Sequence, residues 1–372
     1  MPKVCVMSSV HISTDTRIYQ KEIISLAKAG YEVVFLNKDC TKIDEHGVRF
    51  KKIETPRLRF KRMLLSSILF FLKALKEKAD IYHFHDSELL FAGLFLSILR
   101  KKVIYDVHED VPRDIMEKKY IKPYLRKSLA TIFEVFEKSC AKSFAAIIVS
   151  GPALKDIFVE KKCYRVVSVT NYPKLDEFTS SDFRRLGVEN AVCYIGELEE
   201  FRGIYEMLEA IAISKGSLEI GGRFNDETYK SKCLNSRGWK KVNFHGYVNR
   251  EEVVSIMKSS IGGMITLLPN PRHNDSMPNK MYEYMAAGIP VIASNFPYWR
   301  NIIESGDCGI CVDPTNSKDI AKAIDFLIDN PMQRKIWGEN GRKLTLIKYN
   351  WSVEEKKLLN LYEFLLRKDK KT

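Results

Sequence analysis

No two glycines in this chain stand two residues apart, and no glycine is followed by lysine. The first absence removes the G-x-G-x-x-G turn on which dinucleotide-binding sheets seat a pyrophosphate, and the second removes the P-loop. An ordinary dehydrogenase and an NTPase are thereby excluded. No Asp-x-Asp pair occurs either, the arrangement with which a metal-dependent sugar transferase holds a cation on a diphosphate. Charge on a bound phosphate then has to be met by protein cations and helix starts. No apolar run reaches the ~18 residues of a membrane span, and the longest candidate, Met63 to Leu72, is interrupted by Ser66 and Ser67. The N-terminus passes from Lys3 straight into the strand pattern Val4-Cys5-Val6 without an apolar leader, so a cytoplasmic protein is expected. Cysteines are scattered: of eight, only Cys308 and Cys311 suggest a clip, and both fall in an apolar strand pattern that reads as packing.

What is present is length and rhythm. The 372 residues, 45% hydrophobic and 29% charged, suffice for two cores. Strand-like runs VCVMSSV, YEVVFLN, DIYHFHD, KKVIYDV and AAIIVS alternate with helical patterns through residue 150. After the polar, turn-rich NYPKLDEFTSSDFRRLGVEN a second series begins: AVCYIGE, SLEIGGR, KVNFHGY, GMITLLP, PVIASN and GICVD. Such alternation builds a parallel sheet with helices on both faces. The expected class is α/β, with two doubly wound, Rossmann-like domains over 1–172 and 173–350 facing a cleft. An amphipathic helix in 351–372 is expected to pack back toward the first domain. Ligands of such sheets bind at the carboxyl ends of the strands, so chemistry is sought in the loops that follow them.

The densest such segment is DSMPNKMYEYMAAGIPVIASN, Asp275 to Asn295. Ser276 suits a helix cap and Pro278 the first turn; Gly288 and Pro290 end the helix, and Val291-Ile292-Ala293 reads as a buried strand. A helix start aimed at a loop favours a phosphate, and Lys280 adds charge there. Asp275 and Glu283 flank this anion site. Carboxylates in that position suit a nucleotide sugar, whose diphosphate carries a ribose on one side and a hexose on the other, each presenting hydroxyl pairs. The stripe Met281, Met285, Ala286 and Ala287 turns the helix inward and Glu283 with it. Ser276, Met277 and Asn279 join Glu283 as donor-binding candidates. Upstream, Arg202 lies between a strand ending at Gly196 and a helix beginning after Gly203, at the carboxyl end of the second domain's first strand. The plain alternative is a surface arginine paired with Glu199 or Glu200. Gly222 and Arg223, after the next strand, form a similar candidate pair.

In the first domain, SSVHISTDTRIYQKE follows the opening strand and gathers His11, Asp15, Arg17 and Lys21. The plain reading makes Thr14 or Asp15 a cap and Arg17 solvated. His108, in YDVHED, follows the fourth strand and is expected at the cleft. His83 and His85 share a strand face, but no third ligand is spaced for a metal, and Asp86 is the better cleft candidate.

With these residues in place, the chain resembles a retaining glycosyltransferase of the GT-B fold, in the large family four also called group one. The most specific element is the pair of carboxylates Asp275 and Glu283 with seven residues between them, followed by the helix end and PVIAS. The resemblance implies that Glu283 binds the nucleotide ribose, Asp275 contacts the donor sugar, Arg202 serves the diphosphate, and His108 lies near donor sugar and acceptor. His11, Asp15, Arg17 and Lys21 resemble a subgroup's opening motif. Three positions depart from the pattern: Asp275 replaces a glutamate, Glu197 stands where many relatives have a second arginine, and SSVHIST replaces a glycine-rich loop. The implied reaction moves a sugar from a nucleotide diphosphate to a hydroxyl with retention, with His108, Asp275, Arg202 and Lys280 as the catalytic set and neither cofactor nor metal. Cell-surface polysaccharide or glycolipid synthesis is the expected setting.

One rival of the same fold is a nucleotide-sugar epimerase. A net charge of +13 raises another, a basic nucleic-acid binder. The charge is concentrated in residues 1–170, at +11 against +2 for the remainder, and no base-stacking or recognition-helix motif accompanies it, so no nucleic-acid partner is expected. Residues 51–78 carry nine basic and two acidic side chains, with Arg57, Arg59, Lys61 and Arg62 beside an apolar helical stretch. Lys118, Lys119, Lys122, Arg126 and Lys127 interleave with Tyr120, Ile121, Tyr124 and Leu125 in a second such segment. This make-up leads to the expectation of an enzyme resting on the anionic inner face of the cell membrane, with a lipid-linked or glycan acceptor. The alternative is that Leu64, Leu65, Ile68, Leu72 and Leu75 cover the first sheet.

Overall fold

The computed structural model describes residues 1–39, 46–54, 59–118, 120–179, 190–270 and 277–367, with 59–64 described through their backbone only. It divides into two compact units, Met1–Asn171 with Ser352–Thr372, and Tyr172–Trp351.

The first unit holds seven parallel strands: β1 (Lys3–Ser8), β2 (Glu32–Asn37), β3 (Arg49–Lys52), β4 (Ile81–Phe84), β5 (Lys102–Val107), β6 (Ala146–Val149) and β7 (Val166–Ser168). Their order is β3-β2-β1-β4-β5-β6-β7. The five inner strands are the ones their apolar runs predict. The two edges, β3 and β7, went unread because neither has such a run: RFKK is mostly exposed and VVS only half-buried.

Helices α1 (Ile24–Lys28), α2 (Arg59–Lys76), α3 (Leu90–Ile98), α4 (Val111–Glu117), α5 (Pro123–Ala141) and α6 (Pro152–Glu160) belong to this unit, and the π-helical turn Ile18–Ile23 leads into α1. Alternation along the strands sorts the two faces. Cys5, Met7, Leu36, Tyr82, Phe84 and Tyr105 form one core with Phe70, Leu96 and Cys140 from α2, α3 and α5. His83 and Asp106 point to the other face, as the two-residue period of a strand requires.

The second unit holds β8 (Ala191–Ile195), β9 (Ser217–Gly221), β10 (Val242–Gly246), β11 (Gly262–Ile265), β12 (Val291–Ser294) and β13 (Gly309–Val312), all parallel, in the order β10-β9-β8-β11-β12-β13. Each falls on a run the sequence marks as a strand. The helices are α7 (Ile204–Ile213), α8 (Glu227–Leu234), α9 (Arg250–Ser259), α10 (Asn279–Ala287), α11 (Pro297–Ser305), α12 (Ser317–Asp329) and α13 (Pro331–Ile347). The last helix, α14 (Trp351–Arg367), falls in the first unit from Ser352 onward. Strand order reverses direction at β1/β4 in the first sheet and at β8/β11 in the second. These reversals open crevices at the carboxyl ends, the usual seat of ligands.

The α10 segment differs from expectation at its start. Pro278 is the N-cap, with φ −72° and ψ 120°, and the helix begins at Asn279, so the proline precedes the first turn. Its carbonyl accepts the Met281 N–H at 3.1 Å. Asp275 and Ser276 lie outside the described residues. The end is as read: Gly288 takes the left-handed conformation, φ +76°, which a side chain would strain. Met281, Tyr284 and Met285 are buried, with the Tyr284 ring seated on Gly263 of β11, where an added Cβ would lie 2.2 Å from it.

Candidate functional site

In the second unit the chain leaves β8 at Gly196, whose φ of +149° is open to glycine, and leaves β9 at Gly222, φ +152°. The two turns abut: a Cβ on Gly222 would lie 1.9 Å from the Gly196 carbonyl oxygen. Only glycines let the backbones meet so closely. Lys280, in the first turn of α10, packs on this surface, for a Cβ on Gly196 would stand 2.5 Å from both its Cε and its Nζ. Its ammonium lies 5.9 Å from the Tyr194 ring centroid. Burial, and then the charge of Arg202, push Lys280 below the ordinary lysine range, with Glu283 and Glu197 opposing. Two cations thus converge beyond the end of β8.

Arg202 ends the short 3-10 turn Glu200–Arg202 and stacks over Phe201, 4.8 Å from its ring centroid. Its buried Nε has no hydrogen-bond partner among the described residues. Among the described residues neither Arg202 nor Lys280 forms a salt bridge, so the pairing of Arg202 with Glu199 or Glu200 is not what the structure adopts. Gly203 follows at φ +72°, pressed so near Thr266 that a Cβ would lie 2.1 Å from its carbonyl oxygen. Arg223 stacks on Tyr247 at 4.3 Å. Glu197, exposed, accepts from the Asn225 amide at 2.8 Å.

Glu283 is half-buried, and Arg250 Nη1 meets its carboxylate at 2.7 Å. The same guanidinium holds Glu177 at 2.6 Å. Neither partner was singled out in the sequence. Arg250 follows the cap Asn249, whose capping box with Glu252 marks a helix start but not what the arginine reaches. Met277 is half-buried beside the Tyr298 hydroxyl, and Asn279 is exposed.

In the first unit the loop after β1 closes on Asp86, at the end of β4. One carboxylate oxygen accepts from the Ser8 hydroxyl at 2.8 Å and from the Ser9 and Val10 N–H groups at 2.6 and 3.1 Å. Asp86 therefore shapes the β1 loop across the switch point. His11 bridges Asp15, at 3.4 Å, and Asp86, at 3.5 Å. The Asp15 hydrogen bond raises His11 above its ordinary value. Asp15 also caps the following turn, accepting from the Arg17 and Ile18 N–H groups at 2.8 and 2.9 Å.

Arg17 and Lys21 are not open to a cleft; both are 5% exposed. Arg17 Nη1 donates to the Val169 carbonyl at 2.8 Å, and its Nη2 reaches both Asp106 oxygens at 2.9 and 3.1 Å. Its Nε lies 3.0 Å from Glu22. Lys21 donates to the Asn171 side chain at 2.5 Å. The reason is the two-residue strand period, which puts Asp106 beneath the sheet, where only an inward arginine can balance its charge.

His83 and His85 do acquire further potential ligands, contrary to the sequence reading: Glu22 and Asp106 join them, with ligand atoms all within 4.8 Å of one another. These partners come from other elements, which spacing along one strand cannot reveal. Arg17 supplies the positive charge between the two carboxylates. Burial alone would raise Asp106, yet Arg17 and His108 hold it well below the ordinary carboxylate range. Burial and the neighbouring Asp106 raise Glu22 well above that range. The cluster is thus balanced by a guanidinium, and Tyr362 of α14 completes it at 2.8 Å from His83 Nδ1.

His108 looks inward on the same network, with Nε2 at 3.3 Å from His85 Nδ1 and 3.4 Å from Asp106. Its ring centroid is 5.2 Å from that of His11. Burial pushes it down to about 3, with Arg17 reinforcing and Asp106 opposing. His108 is neutral at physiological pH.

Two doubly wound parallel sheets, the second with two cations beyond its switch point that form no salt bridge among the described residues, have the architecture of GT-B glycosyltransferases. The family model described as glycosyl transferases group 1 matches residues 178–344, and that described as glycosyltransferase family 4 matches 23–169. One match falls in each unit, and the chain belongs to this family of glycosyltransferases. Similar curated proteins include an alpha-D-kanosaminyltransferase of Streptomyces kanamyceticus, 24% identical over 64% of this chain and 67% of the relative. A phosphatidyl-myo-inositol mannosyltransferase of Mycobacterium leprae is 26% identical over 53% of each chain. For several relatives the match spans about half their length, as for the capsular polysaccharide biosynthesis glycosyltransferase CapM of Staphylococcus aureus, 23% identical over 47% of this chain and 46% of CapM. Among solved structures, a sucrose-phosphate synthase from Thermosynechococcus elongatus shares the fold with TM-score 0.76 and 17% identity, covering 99% of this chain and 100% of that one. Anabaena Alr3699/HepE, solved in complex with UDP, has TM-score 0.73 and 14% identity over 98% of this chain and 100% of its own.

Proposed function

We propose that the protein transfers a sugar from a nucleotide diphosphate sugar to a hydroxyl acceptor with retention of anomeric configuration, in the synthesis of a cell-surface polysaccharide or glycolipid. The observation that carries this reading is the pair Arg202 and Lys280, two half-buried cations without a salt-bridge partner among the described residues. Cations so placed call for an anion, and a diphosphate supplies it. As the bond between the sugar and the diphosphate breaks, negative charge grows on the departing phosphate. Arg202 Nε, Lys280 Nζ and the N–H groups at the start of α10 stabilise it. The leaving phosphate oxygen takes the proton of the attacking hydroxyl on the same face, which gives retention without an enzyme nucleophile. Glu283 accepts from the ribose hydroxyls, steadied by Arg250. Neutral His108 orients the reacting groups, and Asp275 contacts the donor sugar.

No metal enters this scheme, because protein cations take the diphosphate charge. The phosphatidyl-myo-inositol mannosyltransferase of M. leprae and the polysaccharide enzyme CapM support an acceptor borne by a lipid or a growing glycan. HepE with UDP supports a uridine nucleotide donor. The protein would then work peripherally at the inner face of the membrane. A panel of nucleoside diphosphates and their sugars, scored by thermal stabilisation, tests the reading. The correct donor at ~100 times its dissociation constant should add about 2.7 kcal/mol. No stabilisation by any nucleotide refutes it, and a donor converted to its own stereoisomer without acceptor identifies an epimerase instead.

A further inference from the structure

The helical layer α2–α3–α5 carries apolar side chains on its outward side as well as on the side that packs on the sheet. On α2 the buried side is Ser66, Ser67, Phe70 and Ala74, and the Ser67 hydroxyl accepts the Ala92 N–H of α3 at 2.8 Å. The exposed side is Leu65, Ile68, Leu69 and Leu72, continued by Lys73 and Lys76 at the same helical spacing. Leu65, Ile68, Leu69 and Leu72 therefore face away from the sheet, while Phe71 and Leu75 pack against its core. Next to α2, α3 exposes Phe91, Phe95, Ile98 and Leu99, which share one side of the helix. Beyond it, α5 exposes Leu125, Leu129, Ile132 and Val135 in a further stripe. Phe71 of α2 touches Phe95 at 5.5 Å between centroids, and Phe91 touches Phe136 of α5 at 4.6 Å, so the stripes adjoin. Ile98 and Ile132 are 65% and 66% exposed. Scattered apolar side chains on a surface need no explanation; three adjoining helices with apolar outer faces do.

Charge decides what covers this face. The sequence of α2 contains five basic and no acidic residues. Lys78, Arg100 and Lys101 lie exposed near the ends of α2 and α3, and Lys122 and Lys127 near the start of α5. Among the described residues of the three helices, Glu134 is the one exposed carboxylate. An isologous dimer through this face would set the basic rim of one copy against the same rim of another. No described helix is long and apolar enough to cross a membrane. We infer that the outer face of α2, α3 and α5 is a membrane-docking surface for an anionic bilayer, with the apolar stripes lying among the acyl chains just beneath the headgroups and the lysines among the anionic phosphates. This rests on, and deepens, the reading of a membrane-borne acceptor.

The test uses the full chain and vesicles of phosphatidylcholine with and without phosphatidylglycerol. Sedimentation should be strong with the anionic vesicles, weak with neutral ones, and reversed by high salt. Replacing Lys73 and Lys76 by glutamine should weaken binding about 5-fold per cation, since each cation at an anionic surface is worth about 1 kcal/mol. Ile98→Ser and Ile132→Ser should each weaken it by roughly tenfold through lost apolar insertion. All four positions are exposed, so the variants should keep the wild-type melting temperature. Equal binding to both vesicle types, or binding to neither, overturns the inference. So does a dimer in sedimentation velocity that becomes a monomer in the Ile98→Ser, Ile132→Ser variant without any vesicle binding. Thermal shift with UDP in the same samples separates the two readings. A UDP response without vesicle binding removes only the surface, whereas vesicle binding with no nucleotide response removes the transferase reading and leaves the surface.

Discussion

Gly196→Ala tests the proposed diphosphate clamp while leaving both of its cations in the sequence. The new Cβ would stand 2.5 Å from Lys280 Cε and Nζ, so the ammonium must retreat by about 1 Å to reach ordinary contact. If Nζ stands about 3 Å from a phosphate oxygen, retreat to about 4 Å at an effective dielectric near 20 loses roughly 1.4 kcal/mol against one unit of developing charge. Turnover at saturating donor should therefore fall about 10-fold, against the 10² or more expected for Lys280→Ala. A φ of +149° adds backbone strain of about 1–3 kcal/mol, visible as a lower melting temperature. The decisive comparison is the double variant. Once Lys280 is alanine, the methyl at 196 has no ammonium to displace, and turnover should fall no further. Steady-state kinetics on the four proteins measures this. A normal kcat in Gly196→Ala, or a full additional 10-fold loss in the double variant, refutes the placement of Lys280 on the leaving group.

Glu283→Gln should weaken nucleotide binding by calorimetry while sparing kcat, and Arg250→Gln should do the same to a smaller degree by loosening Glu283; a loss confined to kcat would contradict the ribose assignment. Transfer should survive EDTA, and a complete, metal-reversible loss would sink the metal-free scheme. Stability should depend on His108: its folded value of about 3 lies below the unfolded value near 6.5, so the stability it contributes is present above 6.5 and lost as pH falls through that window. By pH 5 the loss attributable to His108 is about 2 kcal/mol, read as a difference in urea midpoint between pH 7 and 5 that shrinks in His108→Gln.

Where burial writes itself into composition, the chain was readable. In the second sheet the buried strands β8, β11 and β12 are apolar runs bounded by glycine or polar turns, and Gly288 with Pro290 marks the end of α10. Edge strands β3 and β7 escaped because an exposed edge needs no apolar run. At the sites, the residue types that mark chemistry were visible, but not which of them face inward. Arg17 and Asp15 stand two apart in one motif, yet Asp15 caps a turn while Arg17 goes under the sheet to Asp106. The Arg250–Glu283 contact and the joining of Glu22 and Asp106 with His83 and His85 are products of topology. Nothing local announces them. For the leucines of α2 the sequence left two readings, a membrane-facing stripe and a cover for the first sheet, because periodicity finds a stripe without saying which way it points.

The helix Trp351–Arg367 gives the first unit a peculiar order of assembly. Its Tyr362 hydroxyl meets His83, its Glu354 accepts the Thr170 N–H at 2.9 Å, and its Leu365 carbonyl accepts from Lys102. On a ribosome, the strands of the first sheet emerge early, but the part of this side that α14 covers stays open until the whole second unit has been made. Because domains otherwise tend to fold as they emerge, the unit synthesised first is completed last. A nascent chain stalled before residue 351 would carry a finished second unit and an unsealed first unit, with the buried Arg17–Asp106 pair still reachable by water.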